Sequence, residues 1–331
     1  MLELRDNHGR PLNYLRLAII DRCNLRCFYC MPEEGIQYLK REELLTYEEM
    51  ERITGTLAGM GISKVRITGG EPFMRNDIIP FLTRLKNIEG IEQINITTNG
   101  VFTRKYIDDL KKLGITNINL SLDTLDKEKF FQMTRRDEFD EVMKTFHALI
   151  DEGFNVKINA VAVGDQTEDG LYELGMLSKN HPVSVRFIEE MPFNGQPGES
   201  PSIRWNHKAI YEIFKARVPG LQALPSKPNS TSVDYSAPGM AGSIGIIAAF
   251  SRTFCGQCNR IRITARGVLK TCLYDDGVLD LKALLRGGAG DEEIQQAFLK
   301  AFGSRAKDGY EAEARSKDQG DRSESMSLIG G

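Results

Sequence analysis

The sequence predicts an α/β protein built around a parallel β-sheet. Short runs rich in β-branched residues alternate with longer stretches whose apolar residues recur with helical periodicity. The interval from each strand to the next has room for one crossover helix, as a parallel sheet requires. Six such units form either an open barrel or a doubly wound sheet, because a complete barrel needs eight strands.

The predicted strands and helices of this sheet occupy the first 190 residues. The strands are expected at residues 14–20, 64–68, 93–98, 117–122, 156–163 and 183–188. The helices are expected at residues 46–60, 77–88, 104–113, 138–152 and 168–179. This order is typical of consecutive βα units.

The composition changes after residue 190, where Pro, Gly and Ser become frequent. Residues 192–201 and 225–243 have the composition of loops. Strands at residues 260–264 and 268–274 are predicted to pair as a hairpin.

We therefore expect two domains, a larger one over residues 1–220 and a smaller one over residues 221–331. Within the second domain, residues 303–325 are charged and poor in aliphatic side chains. Such a stretch cannot bury much apolar surface, so it is predicted to be mobile.

The overall composition excludes several classes of protein. With 41% hydrophobic and 27% charged residues among 331, the chain is ordinary for a globular protein. Its net charge of −3 provides no global attraction for nucleic acid or an anionic membrane. It contains neither a long apolar run for a membrane span nor the apolar core of a secretion signal. We expect a soluble cytoplasmic protein that binds neither nucleic acid nor membrane.

Six cysteines form two triplets, and the first follows the first predicted strand directly. Cys23, Cys27 and Cys30 therefore lie on a βα loop, on the face of a barrel where active sites occur. Three thiolates can hold three irons of a four-iron cluster and leave the fourth open to an amino-acid-like chelator. Structural zinc is the weaker alternative, because it needs four ligands and no histidine lies near this loop.

The second triplet is Cys255, Cys258 and Cys272, again without a fourth cysteine. The predicted hairpin brings Cys272 roughly opposite Cys258. Alternate residues of a strand share a face, so Arg260 and Arg262 should point the same way as Cys258. Arginine suits phosphates and planar acceptors. Two alternatives remain: a structural zinc site with His207 as its fourth ligand, or a solvated arginine face.

Several predicted strands carry a single cation, although strands of a parallel sheet are usually apolar throughout. These cations are Arg16, Arg66, Lys157 and Arg186. Burying an unpaired charge is costly. They either bind a polyanionic substrate inside the barrel or pair with carboxylates, for which the candidates are Glu71, Asp123 and Glu189.

The cysteine loop and Gly69-Gly70-Glu71-Pro72 together resemble the radical S-adenosylmethionine (SAM) superfamily. Glycines let a backbone approach a ligand closely, and Glu71 is suited to accept from the SAM ammonium group. The order of motifs along nearly the whole chain resembles the GTP 3′,8-cyclase family of molybdenum cofactor biosynthesis. Those motifs are Leu15-Arg16-Leu17, the first triplet, Val65 to Pro72, Thr97-Thr98-Asn99-Gly100, Asn119 to Asp123, Arg186 to Met191, Cys255 to Arg262 with Cys272, and the terminal Gly330-Gly331.

This resemblance implies an incomplete (β/α)6 TIM-type barrel closed by a smaller C-terminal α+β domain, with one [4Fe-4S] cluster on each triplet. It implies that SAM contacts involve Tyr29 (through its backbone), Gly70, Ser121 and Met191. It implies that GTP contacts involve Arg16, Arg66, Thr97, Lys157, Arg260 and Arg262. It also implies that the Gly330-Gly331 tail enters the active site and takes part in catalysis.

The activity that the resemblance implies is conversion of GTP to (8S)-3′,8-cyclo-7,8-dihydroguanosine 5′-triphosphate through a 5′-deoxyadenosyl radical. The implied partners are a flavodoxin or ferredoxin as electron donor and cyclic pyranopterin monophosphate synthase as recipient of the product. A homodimer stays open. The alternatives are a peptide-modifying radical SAM enzyme, which typically has more auxiliary cysteines, and a zinc-stabilised scaffold or RNA-binding protein.

Overall fold

A single β-sheet organises the molecule. The computed structural model describes residues 4–191, 203–317 and 325–330, and twelve strands of these residues form one sheet. In the first part of the chain they are β1 (Tyr14–Ala18), β2 (Lys64–Thr68), β3 (Gln93–Thr98), β4 (Asn117–Ser121), β5 (Asn155–Ala162) and β6 (Ser184–Glu189). After them come β7 (Gln222–Ala223), β8 (Ser232–Ser236), β9 (Ser243–Ile247), β10 (Arg260–Ile263), β11 (Val268–Lys270) and β12 (Leu279–Asp280).

The centre of the sheet is parallel. Strands β1 to β6 lie side by side in chain order, with β10 parallel to β1 at one edge and β9 parallel to β6 at the other. Antiparallel β11 and β12 extend the first edge, and β8 and β7 extend the second. In the described part of the chain no ladder joins β9 to β10. The six predicted strands are confirmed, and they belong to an open, incomplete barrel.

Helices connect the strands along the chain. In the first part they are α1 (Tyr47–Gly59), α2 (Ile78–Lys86), α3 (Ile107–Lys112), α4 (Lys127–Thr134), α5 (Phe139–Asp151), α6 (Glu168–Gly175) and α7 (Leu177–Asn180). In the second they are α8 (His207–Arg217), α9 (Leu281–Arg286), α10 (Asp291–Phe302), α11 (Gly309–Lys317) and α12 (Met326–Ile329). Over the described residues, none combines the length and apolar character that a membrane crossing needs.

The structure corrects the sequence prediction in three places. The expected loop at 225–243 contains β8, which pairs with β9. The expected helix at 168–179 is broken at Met176 into α6 and α7. The stretch expected to be mobile contains α11, whose first turn is capped because Asp308 accepts from the backbone of Tyr310 and Glu311.

The region after residue 220 does not form a separate sheet. It supplies β9 and β10 to the edges of the same parallel core. The predicted loop at 192–201 lies outside the described residues. The domain boundary at residue 220 stays a prediction.

The two faces of the parallel strands differ in chemistry. Leu15 and Leu17 of β1 and Val65 and Ile67 of β2 are fully buried on the outer face, in the hydrophobic core. Between them, Arg16 and Arg66 are on the opposite, inner face. The barrel is therefore apolar toward its helices and cationic toward its interior.

Strand direction fixes where the two cysteine triplets lie. The first triplet follows the carboxyl end of β1. Cys258 precedes the amino end of β10, which runs parallel to β1, and Cys272 follows β11, which runs antiparallel to β10. The two triplets therefore lie at opposite ends of the barrel.

Candidate active site

The first cysteine loop is held by backbone contacts with the end of α4. The amides of Arg26 and Phe28 donate to the carbonyls of Thr134 (2.9 Å) and Met133 (3.1 Å). Within the loop, Cys30 N donates to Cys27 O at 3.0 Å. Helix α4, which the sequence analysis missed, thus fixes the path of the loop.

The two glycines of the Gly69-Gly70 motif allow backbone to pack on backbone. A Cβ at Gly69, where φ is +133°, would lie 2.2 Å from the carbonyl oxygen of Ile20, and one at Gly70 would lie 2.1 Å from that of Arg22. Gly70 N donates to Ile20 O at 2.7 Å. These glycines therefore seat their loop against the segment that leads into the first triplet.

Glu71 is bound by protein donors. Its carboxylate is fully buried and accepts from the Thr98 hydroxyl (2.9 Å) and from the amides of Phe73 (3.1 Å) and Asn99 (2.8 Å). It does not line either cavity described below. Burial raises its pKa to about 7. Glu71 joins the loops after β2 and β3, and its expected contact with SAM stays a prediction.

The cysteines of the first triplet are half-buried. Burial, with the charge of Glu71 as a smaller contribution, raises the pKa of Cys23 to about 11, and burial and the neighbouring thiols also raise the pKa of Cys27. Asn99 Nδ2 is 3.5 Å from Cys23 Sγ and donates to Asn24 Oδ1 at 2.8 Å. Protonated thiols in such a loop need a metal to displace their protons.

The donor set fits an iron–sulfur cluster better than a single ion. Each triplet supplies three thiolates, and a four-iron cluster places each of them on a different iron, whereas structural zinc needs four ligands on one ion. His207, the alternative zinc ligand, instead bonds Glu189 through Nδ1 at 2.9 Å. The triplets therefore suit [4Fe-4S] clusters, each with one iron lacking a cysteine.

A cavity of about 460 Å³ fills the barrel interior. Cys30 lies on its wall at one end, and Cys255, Cys258 and Cys272 lie on its wall at the other. Seven cations from the strands line it, namely Arg16, Lys64, Arg66, Lys157, Arg186, Arg260 and Arg262. All the strand cations singled out in the sequence are thus brought together, and Lys64 joins them.

The cations lie in register on adjacent strands. Arg262, Arg16 and Arg66 are partners in one row across β10, β1 and β2, and like charges directly opposite one another are unfavourable. Burial and the charges of Arg186 and Arg66 lower the pKa of Lys157 to about 8. Burial and the neighbouring arginines also lower the pKa of Arg16. The interior therefore holds a high density of positive charge.

The carboxylates considered as internal partners are engaged elsewhere. Asp123 accepts from the Tyr29 hydroxyl (2.6 Å) and the Val161 amide (2.8 Å). Glu189 accepts from the backbone and side chains of His207 and Ser251. Arg186 has Asp234 at 3.6 Å. Arg and Lys side chains nevertheless outnumber the carboxylates Asp123, Glu189, Glu190 and Asp308 in the described lining of the cavity, so a polyanionic ligand is the better explanation.

A second cavity of about 120 Å³ adjoins the first triplet and contains Cys23, Cys27, Cys30 and Gly70 in its lining. Six residues line both cavities, so the cavities meet there; they are Tyr29, Cys30, Thr97, Ser121, Asp123 and Met326. Met191 lines the larger cavity only. The residues expected to contact SAM, apart from Glu71, thus surround the junction or lie next to it.

The second triplet lies among cations. Burial raises the pKa of Cys272 to about 12 and also raises that of Cys255. Burial favours the thiol at Cys258 as well, but the charges of Arg305 and Arg260 outweigh it and lower the pKa of Cys258. Sequence reasoning missed Arg305, which no motif distinguishes.

The last described residues of the chain enter the barrel. Gly330 is buried, with φ +83°, and a Cβ there would lie 2.6 Å from Thr68 Cγ2. Its carbonyl accepts from Arg262 at 2.7 Å and from Arg16 at 3.4 Å. The Ser325 hydroxyl donates to Cys30 O at 2.6 Å. Gly331 lies outside the described residues.

Two family models match the chain in tandem. The model described as "Radical SAM superfamily" matches residues 17–175, and that described as "Molybdenum Cofactor Synthesis C" matches residues 183–311. The "GTP 3′,8-cyclase" of Heliobacterium modesticaldum is 37% identical over 337 residues, which cover 98% of this chain and 99% of the relative. The chain belongs to the GTP 3′,8-cyclase family.

Other relatives of the GTP 3′,8-cyclase family differ in length. The "GTP 3′,8-cyclase" of Alkaliphilus oremlandii is 37% identical and is covered completely. The "Molybdenum cofactor biosynthesis protein 1" of Bos taurus is 39% identical over 91% of this chain, but only 47% of that relative is covered. The chain thus spans about half the length of such animal relatives.

Among solved structures, SuiB of Streptococcus suis has a similar fold. Its TM-score is 0.59 at 16% identity, covering 89% of this chain and 67% of SuiB. This likeness supports the partial TIM-barrel fold alone.

The depressed pKa of Lys157 predicts pH-dependent polyanion binding. Below about pH 8 the side chain is protonated and attracts an anion; as pH rises through 8 the free protein loses that charge. Affinity for inorganic tripolyphosphate should therefore fall by about tenfold between pH 7 and 9, since a hydrogen bond to a charged group contributes about 1.5 kcal/mol or more. Isothermal calorimetry measures it.

Two variants isolate this effect. Lys157→Arg keeps its charge and should flatten the profile. Tyr14 also titrates in the cavity, because the charges of Arg66 and Arg16 overcome burial and lower its pKa to about 7. The Lys157 comparison is therefore made in a Tyr14→Phe background. An unchanged slope in Lys157→Arg would show that Lys157 does not meet the anion.

Proposed function

We propose that the protein converts GTP to (8S)-3′,8-cyclo-7,8-dihydroguanosine 5′-triphosphate, the first step of molybdenum cofactor biosynthesis. The observation that carries this proposal is a cation-lined chamber with the second triplet on its wall, joined to a smaller cavity that the first triplet lines. A nucleotide with several negative charges fits such a chamber, and opposite ends allow two different small molecules to meet within it.

Loading of the first triplet with a [4Fe-4S] cluster would supply the reductive cleavage of SAM, whose 5′-deoxyadenosyl radical takes the 3′ hydrogen of GTP. The protein's own task is to position the two molecules, because a radical must meet one hydrogen among many. Tyr29, Thr97 and Ser121 lie where the two cavities join. We propose that SAM meets the ribose of GTP at this junction.

The chamber cations are proposed to hold the triphosphate. The family resemblance implies GTP contacts for Arg16, Arg66 and Lys157. We add Lys64 and Arg186, because they line the same cavity. Arg66 Nη1 donates to the Thr97 hydroxyl at 3.2 Å, so the phosphate-binding wall is tied to the junction. Water exclusion by the filled chamber would strengthen each charge interaction.

The second triplet is proposed to hold the guanine end. Arg260 and Arg262 lie on the inner face beside Cys258, while Ile261 and Ile263 are fully buried on the other face. A cluster on Cys255, Cys258 and Cys272 would have an open iron for a base nitrogen or oxygen. The Gly330 carbonyl between Arg262 and Arg16 places the tail beside the same nucleotide.

The proposed partners follow from the reaction. A flavodoxin or ferredoxin would supply the electron, and cyclic pyranopterin monophosphate synthase would take the product. We leave a homodimer as a proposal that sedimentation can settle.

The division of labour between the triplets predicts different defects. Cys27→Ala should abolish 5′-deoxyadenosine formation, because the first cluster is lost. Cys258→Ala should strongly reduce the cyclised nucleotide while some uncoupled SAM cleavage continues. Anaerobic assays with GTP, SAM and dithionite, read by mass spectrometry, measure both products.

Gly256→Ala is the matched control within the second cysteine loop. A Cβ there meets nothing within 4 Å, so activity should be retained. Wild type should carry roughly eight irons per chain, as two four-iron clusters require. Equal loss of both products in the two cysteine variants would refute the division of labour.

The face around the first cysteine loop suits an acidic electron carrier. Arg22 and Arg136 are exposed there, and the Arg22 and Arg26 guanidiniums lie 5.8 and 5.7 Å from the Tyr38 ring. Arg135 Nη1 donates to Arg26 O at 3.4 Å. Flavodoxins and ferredoxins are acidic, so charge would steer them to this face.

Charge reversal tests this docking face. Arg136→Glu should slow flavodoxin-driven SAM cleavage by about threefold to tenfold at low salt and leave the dithionite-driven rate unchanged. Lys215→Glu, at an exposed position of α8, is the control. An equal effect of both variants, or none from Arg136→Glu, would place the donor elsewhere.

A further inference from the structure

One buried guanidinium binds the backbone and the sulfur of the second cysteine loop at once. Arg305 donates from Nη1 to Cys258 O (2.8 Å), and from Nη2 to Arg260 O (2.9 Å) and Cys258 Sγ (3.3 Å). Its Nε donates to Thr271 O at 2.9 Å, next to Cys272. A single side chain therefore touches the segments that carry two of the three thiols.

The position of this guanidinium is fixed from behind by a buried carboxylate. Asp6 Oδ2 lies 3.0 Å from Arg305 Nη1 and 2.6 Å from Arg10 Nε, and the Asp6 side chain is fully buried. Arg10 in turn donates to the carbonyls of Cys255 (3.1 Å) and Ala306 (2.8 Å). The start of the chain and the segment after α10 thus form one collar around the second triplet.

The same segment also lies near the third cysteine. Gly309, the first residue of α11, lines the same cavity as Cys255. The stretch 305–309 therefore lies beside the second triplet, and Arg305 gives a hydrogen bond to the Cys258 sulfur. Hydrogen bonds to the sulfurs are a principal determinant of a cluster's reduction potential and of how firmly it is held.

We propose that Arg305 is the positioning residue of the second cluster: held by Asp6, it fixes the Cys258 loop and stabilises the reduced form of the cluster through its bond to Cys258 Sγ. This inference rests on the proposed function, because it needs a cluster on the second triplet. Arg260 Nη1 lies 3.9 Å from Cys258 Sγ, whereas Arg305 comes within 3.3 Å of that sulfur and also donates to the Cys258 carbonyl. Arg305 also lines the cavity, but its hydrogen bonds go to the cysteine segments and to Asp6, so its role is to set the cluster.

The test uses the full chain with Cys23, Cys27 and Cys30 replaced by Ala, so that only the second cluster remains. Arg305→Gln removes the charge and the fork of donors. Its cluster should show a midpoint potential shifted to more negative values and an altered EPR spectrum of the reduced state. Arg305→Lys restores a charge and should give an intermediate shift. Arg315→Gln, an exposed position on α11, should match the parent.

The outcomes separate the two proposals. If the parent chain itself binds no iron after anaerobic reconstitution, the proposed function fails. If it binds iron but Arg305→Gln leaves the potential and spectrum unchanged, the role of Arg305 is wrong. If Arg305→Gln loses iron while its circular dichroism is preserved, Arg305 retains the cluster, as proposed. If Arg305→Gln does not fold, the midpoint potential of Arg305→Lys decides: a negative shift supports the role of Arg305, and an unchanged potential contradicts it.

Discussion

A high density of positive charge inside the barrel is the constraint on which the rest of the site depends. Arg262, Arg16 and Arg66 stand side by side on three hydrogen-bonded strands. The nearby carboxylates are committed to other donors, with Glu71 bound to loop amides and Asp123 to Tyr29. Such an interior is unfavourable when empty of anions, because the charges repel and are poorly solvated. It is suited to a ligand that carries several negative charges.

The second organising feature is strand direction. The first cysteine loop follows the carboxyl end of β1 and so lies at one end of the chamber. The second triplet lies at the other end, because Cys258 precedes β10, which is parallel to β1, and Cys272 follows β11, which is antiparallel to β10. The glycine pair at 69–70 lets the loop after β2 pack on the approach to the first triplet. At the other end of the chamber, the collar of Asp6, Arg10 and Arg305 holds the second cysteine loop. Each triplet thus has its own supporting structure.

Much of this could be read from the sequence, because periodicity and local motifs carry it. The six central strands follow from β-branched runs, and the inward cations follow from single charges within those runs. Lys64 could have been found in the same way, since it lies two residues before Arg66 on β2. Helix α4 also had a local signal, because Asp126 caps it by accepting from Lys129 N.

Other features depend on contacts far apart in the chain. Arg305 meets Asp6 across 299 residues, and no spacing rule predicts such a pair. Helix α11 is polar, and it is fixed by the ion pair of Arg252 with Glu313 and by Gly309 beside Tyr274. The hydrogen bonds of Glu71 to Thr98 and Asn99 were likewise not predictable, because the two motifs are 27 and 28 residues apart in the chain.

An anaerobic crystal structure with SAM and GTP bound would show whether the two molecules meet inside the barrel. We expect the triphosphate between Arg16, Arg66 and Lys157, a cluster with one cysteine-free iron at each end, and SAM at the end of Cys30. A cluster fully ligated by protein, or a triphosphate bound outside the barrel, would contradict this expectation.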